Sequence, residues 1–320
     1  MNQPVIAILD GYTLNPGDLS WMPLEKLGSL KLFDRTPPEE VINRAKNADI
    51  LIVNKVIINA NTLIQLPKLK CICVTATGYN NVDIQAARQR NIPVCNVRGY
   101  STNSVAQHVF ALILELTNTV AVYNESVKDG DWSRSPDFCY TIRPIRELSG
   151  LTMGIFGLGQ IGQAVATIAM AFGMKVIARH KHPERDRMIG VRFVDTKTLF
   201  QESDILSLHA PLTDENAGLI CLSNLKRMKP SALIINTARG GFIVEEDLKR
   251  ALESDIISGA ALDVLSVEPP PASHPLIGVK NCIITPHIAW ASKAARQRLM
   301  DATVKNVEAF LRGNPENLVN

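Results

Sequence analysis

Two side chains in the second half of the chain have the chemistry that reduction of a ketone by hydride transfer requires. Arg239 follows the apolar run 232–235 and precedes two glycines, so a sharp turn can aim its guanidinium into a crevice. A planar guanidinium binds a carboxylate and a neighbouring carbonyl oxygen together. His287 follows Pro286, and an imidazole can protonate a developing alkoxide near neutral pH. The sequence therefore predicts a catalytic pair; a surface arginine and a strand-end histidine are the alternatives.

A carboxylate beside three consecutive prolines is a candidate partner for this histidine. Glu268 precedes the prolines 269–271, which stiffen the loop and could hold its side chain against His287. Such a carboxylate favours the charged imidazolium and fixes which ring nitrogen carries the proton. The residue pattern alone leaves open a second interpretation, in which Glu268 is a solvated loop residue.

A glycine-rich turn near the middle of the chain indicates a dinucleotide site. The apolar run 152–156 leads into three glycines at the spacing Gly-x-Gly-x-x-Gly, and an Ala-rich helical pattern follows. The first glycine allows the turn, the second leaves room for a pyrophosphate, and the third lets helix and strand pack closely. Amides at the helix N-terminus then face the anion. The candidate cofactor-binding residues of this turn are Gly157, Gly159, Gln160, Ile161 and Gly162.

Further candidate contacts follow the other predicted strands of the same half. In an open parallel α/β sheet, ligands bind beyond the carboxyl ends of the strands. Besides Arg239 and His287, that rule selects as cofactor-binding candidates Arg179, His180, Lys181, His209, Ala210, Pro211, Thr237, Ala238, Asp263 and Ala289. Asp263 ends a predicted strand, where it could contact a nicotinamide ring.

Apolar runs alternate with helical patterns in both halves of the chain, which is typical of α/β proteins with parallel sheets. We expect two Rossmann-like domains, one binding substrate and one binding the dinucleotide, with the active site in the cleft between them. The predicted dinucleotide domain is 99–287, and the substrate domain combines 1–98 with 288–320. Segment 105–116 is apolar on nearly every side, so it should form a buried helix, and with segment 135–140 it favours a homodimer.

Composition and charge exclude several functional classes. The 320 residues carry a net charge of +3 without a basic block, so neither nucleic acid nor a membrane surface is an expected partner. The opening residues lack a signal-peptide pattern, and no apolar run is long enough to cross a bilayer. The six cysteines lack metal-ligand spacing, which predicts free buried thiols and no metal site. We expect a cytoplasmic enzyme with a small-molecule substrate.

Several motifs, in order along the chain, resemble the D-isomer-specific 2-hydroxyacid dehydrogenases. Besides the glycine turn, they are the segments 76–83, 104–108, 209–213, 236–241, 261–264 and 285–289. The resemblance implies that Arg239 binds the substrate carboxylate and carbonyl. It also implies that His287 is the acid–base group and that Glu268 pairs with it.

Within this family, three segments look most like glycerate dehydrogenases, also called hydroxypyruvate reductases: 99–104, 135–138 and 288–292. The resemblance implies reversible reduction of hydroxypyruvate or glyoxylate to D-glycerate or glycolate by NAD(P)H. A dehydrogenase for another 2-keto acid and a dinucleotide-sensing corepressor of the same fold are the alternatives. The substrate-binding candidates are Ala76, Thr77, Gly78, Arg239, His287 and Trp290, whose indole would narrow the pocket.

Position 180 differs from the pattern of NAD-preferring family members. In those proteins an Asp or Glu about 20 residues beyond the glycine turn binds the ribose 2′-hydroxyl, whereas this chain has His180 between Arg179 and Lys181. No carboxylate is expected there to repel a 2′-phosphate. We therefore predict that NADPH is accepted and slightly favoured over NADH; the alternative is a solvated basic strand end.

Overall fold

The computed structural model describes residues 3–320, which divide into two compact units. The first unit contains the described residues up to Ser101 together with Ala291–Asn320, and the second is Thr102–Trp290. Each unit has its own parallel sheet. The predicted fold class, α/β with two parallel sheets, is confirmed.

The first unit is built on five parallel strands. They are β1 (Val5–Ile8), β2 (Ser29–Leu32), β3 (Ile50–Val53), β4 (Cys71–Val74) and β5 (Val94–Cys95), paired in the order β2-β1-β3-β4-β5. Its first four helices are α1 (Met22–Glu25), α2 (Val41–Ala45), α3 (Ala60–Ile64) and α4 (Ile84–Gln89). The carboxamide of Asn59 and the carboxylate of Asp83 begin α3 and α4, because each accepts an amide hydrogen bond from the first turn. β3 and β4 contain only buried residues, as expected for central strands of a parallel sheet.

The second unit has a larger sheet of seven parallel strands. They are β6 (Thr152–Phe156), β7 (Lys175–Arg179), β8 (Val191–Phe193), β9 (Ile205–Leu208), β10 (Leu233–Asn236), β11 (Gly259–Leu262) and β12 (Cys282–Ile284). They pair in the order β12-β11-β10-β9-β6-β7-β8. The order reverses at β6, and such a topological switch point is where open α/β sheets bind dinucleotides.

Seven helices accompany this sheet. They are α5 (Thr102–Asn118), α6 (Val120–Lys128), α7 (Asp131–Arg134), α8 (Gln160–Ala171), α9 (Thr196–Glu202), α10 (Leu222–Leu225) and α11 (Glu245–Glu253). α5 packs against α8 and buries seven residues, among them Val109 and Ile113. Within residues 3–320, no single helix is long and apolar enough to cross a membrane; only α5 and α6 taken together pass by length and composition, with a 54° bend between them.

The C-terminal helix, α12 (Lys293–Leu311), belongs to the first unit and contacts β4. The hydroxyl of Ser292 caps it by accepting a hydrogen bond from the amide of Ala295. Its buried stripe includes Leu299, Met300 and Val307. This burial follows the apolar periodicity of the segment.

All six cysteines are free, but only three of them are buried. Cys71 and Cys73 lie on β4, and Cys95 is the β5 partner of Cys73. The three sulfur atoms lie within 4.8 Å of one another. The prediction of buried thiols is wrong for Cys139, which is exposed, because it lies in the loop after α7.

Candidate active site

The glycine turn joins β6 to α8, and each of its three glycines has a different structural role. Gly157 has φ = 102°, and a Cβ there would lie 2.5 Å from the amide nitrogen of Ala210. A Cβ on Gly162 would lie 2.2 Å from the carbonyl oxygen of Gly157, so this glycine permits close packing of α8. A Cβ on Gly159 would meet nothing within 4 Å. This open space, directly before the first amides of α8, fits the pyrophosphate of a dinucleotide.

His180 lies just beyond β7 and is hydrogen-bonded to the glycine turn. The amide of Leu158 donates to its Nδ1 at 3.0 Å, so the ring proton is on Nε2. His180 Nε2 in turn lies 2.5 Å from the Oδ2 of Asp186. Both ring nitrogens therefore have protein partners.

Asp186 corrects the expectation that no carboxylate lies beside position 180. It is six residues further along the chain, and the guanidinium of Arg185 donates to it at 2.6 Å. The Arg185 hydrogen bond, followed by that from His180, lowers the pKa of Asp186 to about 2. The spacing rule for the ribose carboxylate examines only the strand end, so it could not find a carboxylate that returns from the following loop.

His209, Ala210 and Pro211 follow β9, as expected. The amide of His209 donates to the carbonyl of Phe156, and its Nε2 lies 2.8 Å from the hydroxyl oxygen of Ser207. Burial lowers the pKa of His209 to about 3, so the ring is neutral at working pH. The His209 ring therefore has a hydrogen-bond partner within the protein, the hydroxyl of Ser207.

Arg239 lies in a turn that a buried asparagine shapes. Asn236, the last residue of β10, accepts a hydrogen bond from the amide of Ala238 and donates one to the carbonyl of Arg239. Thr237 and Ala238 are half-buried and Arg239 is exposed. The guanidinium is therefore displayed beyond the carboxyl end of the sheet, where sequence reasoning expects it.

Glu268 and His287 are brought together by the fold. The Nδ1 of His287 lies 2.6 Å from the Oε2 of Glu268, and the amide of Leu265 donates to Oε1 of the same carboxylate at 3.0 Å. With its proton on Nδ1 directed at Glu268, the imidazole leaves Nε2 for a ligand. His287 has φ = 53°, a left-handed conformation that the surrounding contacts must hold in place.

Asp263 supplies those contacts. It is 1% exposed, its carbonyl accepts the amide of His287, and its carboxylate accepts the amides of Ile288 and Ala289 at 2.8 Å each. The Thr285 hydroxyl also donates to this carboxylate at 2.6 Å. The expectation that Asp263 contacts a nicotinamide remains a prediction, and the observed contacts make it a positioning residue for His287.

The remaining substrate candidates of the first unit follow β4. The hydroxyl of Thr77 donates to the carbonyl of Val97 at 3.0 Å, and the Asn96 carboxamide donates to the carbonyl of Thr77 at 2.7 Å. These bonds fix the loop that contains Ala76 and Gly78. In the second unit, Trp290 is half-buried and Ala289 is buried.

Comparison with known proteins identifies the family. Residues 110–289 match the model of the D-isomer specific 2-hydroxyacid dehydrogenase, NAD binding domain. A hydroxypyruvate reductase of Blautia hydrogenotrophica is 46% identical over 98% of this chain and 99% of its own length. A glycerate dehydrogenase of Methylorubrum extorquens is 44% identical over 88% of each chain. The solved structure of an acyclic imino acid reductase in complex with NADPH and D-Arg superposes with a TM-score of 0.85, at 33% identity, covering 99% of this chain and 100% of the other.

This chain belongs to the D-isomer-specific 2-hydroxyacid dehydrogenases. It is therefore an oxidoreductase, and the group that its glycine turn fits is a nicotinamide dinucleotide. The second unit of this dehydrogenase contains Arg239, His287 and Glu268. All three lie beyond the carboxyl ends of strands of the same sheet.

Sequence reasoning missed several residues that position this dehydrogenase's site. Besides Asp186 and Asn236, His108 on α5 places its Nε2 3.0 Å from the hydroxyl oxygen of Thr285. His108 and Asn236 belong to family motifs, but their roles depend on contacts across 177 and only 3 residues of chain, respectively. The contact of His108 with Thr285 follows no local pattern, whereas an Asn at a strand end, as at position 236, is a known turn-forming residue that periodicity does not reveal.

Proposed function

We propose that this dehydrogenase reduces hydroxypyruvate and glyoxylate to D-glycerate and glycolate, in a reversible reaction. The observation that carries the proposal is the 2.6 Å contact between His287 and Glu268. Both residues follow strands of the sheet from which the Arg239 turn also leads. The contact supplies a proton donor whose orientation is fixed. The names of the two relatives, a hydroxypyruvate reductase and a glycerate dehydrogenase, support the choice of substrate.

In the proposed mechanism, the guanidinium of Arg239 binds the carboxylate and the keto oxygen of the substrate. A nicotinamide dinucleotide held at the glycine turn would supply the hydride for C2 of the substrate. His287 then transfers the proton on Nε2 to the alkoxide, and Glu268 stabilises the imidazolium form that precedes this transfer. In the reverse direction the neutral imidazole accepts the hydroxyl proton.

The substrate carboxylate also needs neutral donors. We assign this role to the backbone amides near Thr77 and Gly78, whose loop is held by the two hydrogen bonds at Thr77. Trp290 is assigned to the wall of the pocket, where an indole favours a short substrate side chain over a long one.

For the cofactor, we propose that both reduced dinucleotides are accepted, with a slight preference for NADPH. Arg179 and Lys181 flank His180 and favour a 2′-phosphate. The negative charge of Asp186 opposes this preference, but its pairing with Arg185 at 2.6 Å weakens the repulsion. The NADPH complex of the structurally similar imino acid reductase agrees with such a site.

We also propose a cytoplasmic homodimer. The segment 120–145 exposes several large apolar side chains: Val120, Val127, Trp132, Phe138 and Ile145. Several exposed large apolar side chains within one segment indicate an interaction surface, and a second copy of the chain is the expected partner. Free thiols at all six cysteines agree with a reducing compartment.

A substrate panel tests the proposed function. Hydroxypyruvate, glyoxylate, pyruvate, 2-ketobutyrate and phenylpyruvate would each be assayed with NADH and with NADPH, and kcat/KM compared. The proposal expects kcat/KM for hydroxypyruvate and glyoxylate to exceed that for phenylpyruvate by at least about 100-fold, a pocket discrimination of roughly 3 kcal/mol. A higher value for pyruvate, 2-ketobutyrate or phenylpyruvate would assign this dehydrogenase to another 2-keto acid.

A further inference from the structure

The first residue of α11 is a glutamate whose carboxylate holds the chain just before Glu268. Its Oε1 accepts the amide of Ser266 at 2.9 Å, and its Oε2 accepts the Ser266 hydroxyl at 2.8 Å. This residue, Glu245, is far along the chain from Ser266, and its side chain is 13% exposed. We call residues 265–268 the strap, because they connect this anchor to the carboxylate that contacts His287.

A buried histidine lies on the other side of the Glu245 carboxylate. His274 Nε2 is 3.0 Å from Glu245 Oε2, and its side chain is 3% exposed. The amide of Leu276 donates to Nδ1 of the same ring, so the ring proton is on Nε2, the nitrogen near Glu245. The carboxylate thus lies between His274, which approaches it without forming a hydrogen bond, and Ser266, whose two hydrogen bonds fix its orientation.

The strap also packs against the turn that contains Arg239. A Cβ on Gly240 would lie 1.9 Å from the carbonyl carbon of Leu265 and 2.3 Å from the amide nitrogen of Ser266. The backbones of the strap and of the Arg239 turn are in close contact here, so a movement of the strap also affects this turn. Within the strap, the amide of Leu265 donates to Oε1 of Glu268, and Oε2 of Glu268 contacts Nδ1 of His287.

We propose that Glu245, hydrogen-bonded to Ser266, is a positioning residue that acts on the reaction through the strap and Glu268. The inference rests on the proposed roles of Glu268 and His287. Glu245 fixes Ser266 by two hydrogen bonds, Ser266 continues into Glu268, and Glu268 orients the imidazole that transfers the proton. Loss of the anchor lets the Glu268–His287 pair sample geometries in which the proton donor is misaligned.

The neighbouring acidic residues of α11 show that this role belongs to Glu245 alone among the three. The first turn also contains Glu246 and Asp247. Asp247 accepts the amide of Leu222 at 2.9 Å, and Glu246 is exposed. Glu246→Gln therefore removes the same charge from the same helix turn without touching the strap, which makes it the matched control for Glu245→Gln.

The test combines kinetics with hydrogen exchange. In Glu245→Gln we expect kcat for hydroxypyruvate to fall about 10-fold while KM and the NADH dissociation constant, measured by fluorescence, change less than about 2-fold. Amides of residues 265–268 should exchange faster in this variant, as measured by mass spectrometry. Glu246→Gln should match the wild type in all four quantities. Ser266→Ala keeps the hydrogen bond from the backbone amide of residue 266 to Glu245, so it should lose less activity than Glu245→Gln.

A double-mutant cycle shows whether Glu245 acts through Glu268. With Glu268→Gln already present, Glu245→Gln should lower kcat by less than about 2-fold more, because the route by which it acts has gone. A further 10-fold loss, or wild-type kcat in the single variant, would overturn the inference. Faster exchange in the strap together with a wild type that reduces no 2-keto acid would instead refute the proposed function and leave the anchoring of the strap intact.

Discussion

Two carboxylates position His287, one by contacting its ring and the other by binding the backbone that follows it. Glu268 contacts its Nδ1 at 2.6 Å, whereas Asp263 holds the backbone of residues 287–289. Asp263 is buried and accepts several hydrogen bonds, so it fixes the position of the backbone around His287. The partly exposed Glu268 balances the charge of the imidazole ring. Both carboxylates that position this ring lie in the connection between β11 and β12.

Arg239 and His287 should give different kinetic signatures when replaced. Arg239→Ala is expected to raise KM for hydroxypyruvate and lower kcat, each by at least about 10-fold, because the guanidinium both binds the carboxylate and orients the carbonyl. His287→Gln should lower kcat about 100-fold or more with little change in KM. Steady-state kinetics distinguish the two, with fluorescence titration of NADH as the control for cofactor binding. Full activity in either variant contradicts the mechanism.

Asp186 is expected to limit the affinity for NADPH. Asp186→Asn removes a carboxylate whose pKa is near 2, so a negative charge is lost at every working pH. The dissociation constant for NADPH should fall about 3- to 10-fold, while that for NADH stays the same or rises. Fluorescence titration measures both, and Asp214→Asn, at an exposed loop position, is the control. An equal effect on the two cofactors would show that Asp186 does not face the 2′ position.

The positions of Arg239 and His287 and the contact between Glu268 and His287 were predictable from the sequence, whereas other contacts around these residues were not. Arg239 and His287 follow predicted strands, so the rule for parallel sheets locates them. Asp186 and Glu245 act through hydrogen bonds that only the folded loops create. His209 follows β9 as predicted, its ring nitrogen Nε2 contacts Ser207, and its contact with the cofactor stays a prediction.

The residue directly after strand β9, His209, makes stability depend on pH. The folded-state pKa of His209 is about 3 because burial disfavours the imidazolium, whereas an unfolded histidine titrates near 6.5. Between these values the unfolded chain binds more protons than the folded chain. The free energy of unfolding therefore falls as pH falls through this window.

We expect His209 to account for about 2 kcal/mol of the stability lost between pH 7 and pH 5. His209→Gln should be less stable than the wild type at pH 7, because it loses the fitted ring, but its free energy of unfolding should change less over the same interval. Urea unfolding at the two pH values measures this difference. Parallel pH dependences in the two proteins would show that His209 does not titrate as described.

The burial of a strand determines whether an apolar run in the sequence indicates it. β3 and β9 contain only buried residues and appear in the sequence as apolar runs. β2 and β8 lie at the edges of their sheets, with mostly exposed or half-buried residues. Because an edge strand gains its conformation by pairing with a neighbour, its own residues need no apolar pattern.

Both units have the predicted α/β class, and segment 120–145 of the second unit exposes large apolar side chains. Phe138 is 88% exposed, and its carbonyl accepts the indole N–H of Trp132. Exposed aromatic side chains such as Trp132 and Phe138 are typical of a partner surface. We therefore place the proposed dimer contact on this segment.

A charge at position 138 should weaken that dimer. Phe138→Asp is expected to shift the protein toward monomer, because an aspartate buried in an apolar contact lacks a partner. Ile189→Asp is the control, since Ile189 is 97% exposed and lies outside the segment. Light scattering after size-exclusion chromatography measures the mass of each. A dimeric Phe138→Asp, or a monomeric wild type, contradicts the assignment.

The stereochemistry of the product tests the central claim most directly, since Arg239, His287 and the bound dinucleotide must act on one carbon from fixed directions. The purified protein would be incubated with hydroxypyruvate and NADH or NADPH, and the glycerate formed would be analysed on a chiral column. The account predicts D-glycerate in amounts equal to the reduced dinucleotide consumed. L-glycerate, a racemic product or no glycerate would contradict it.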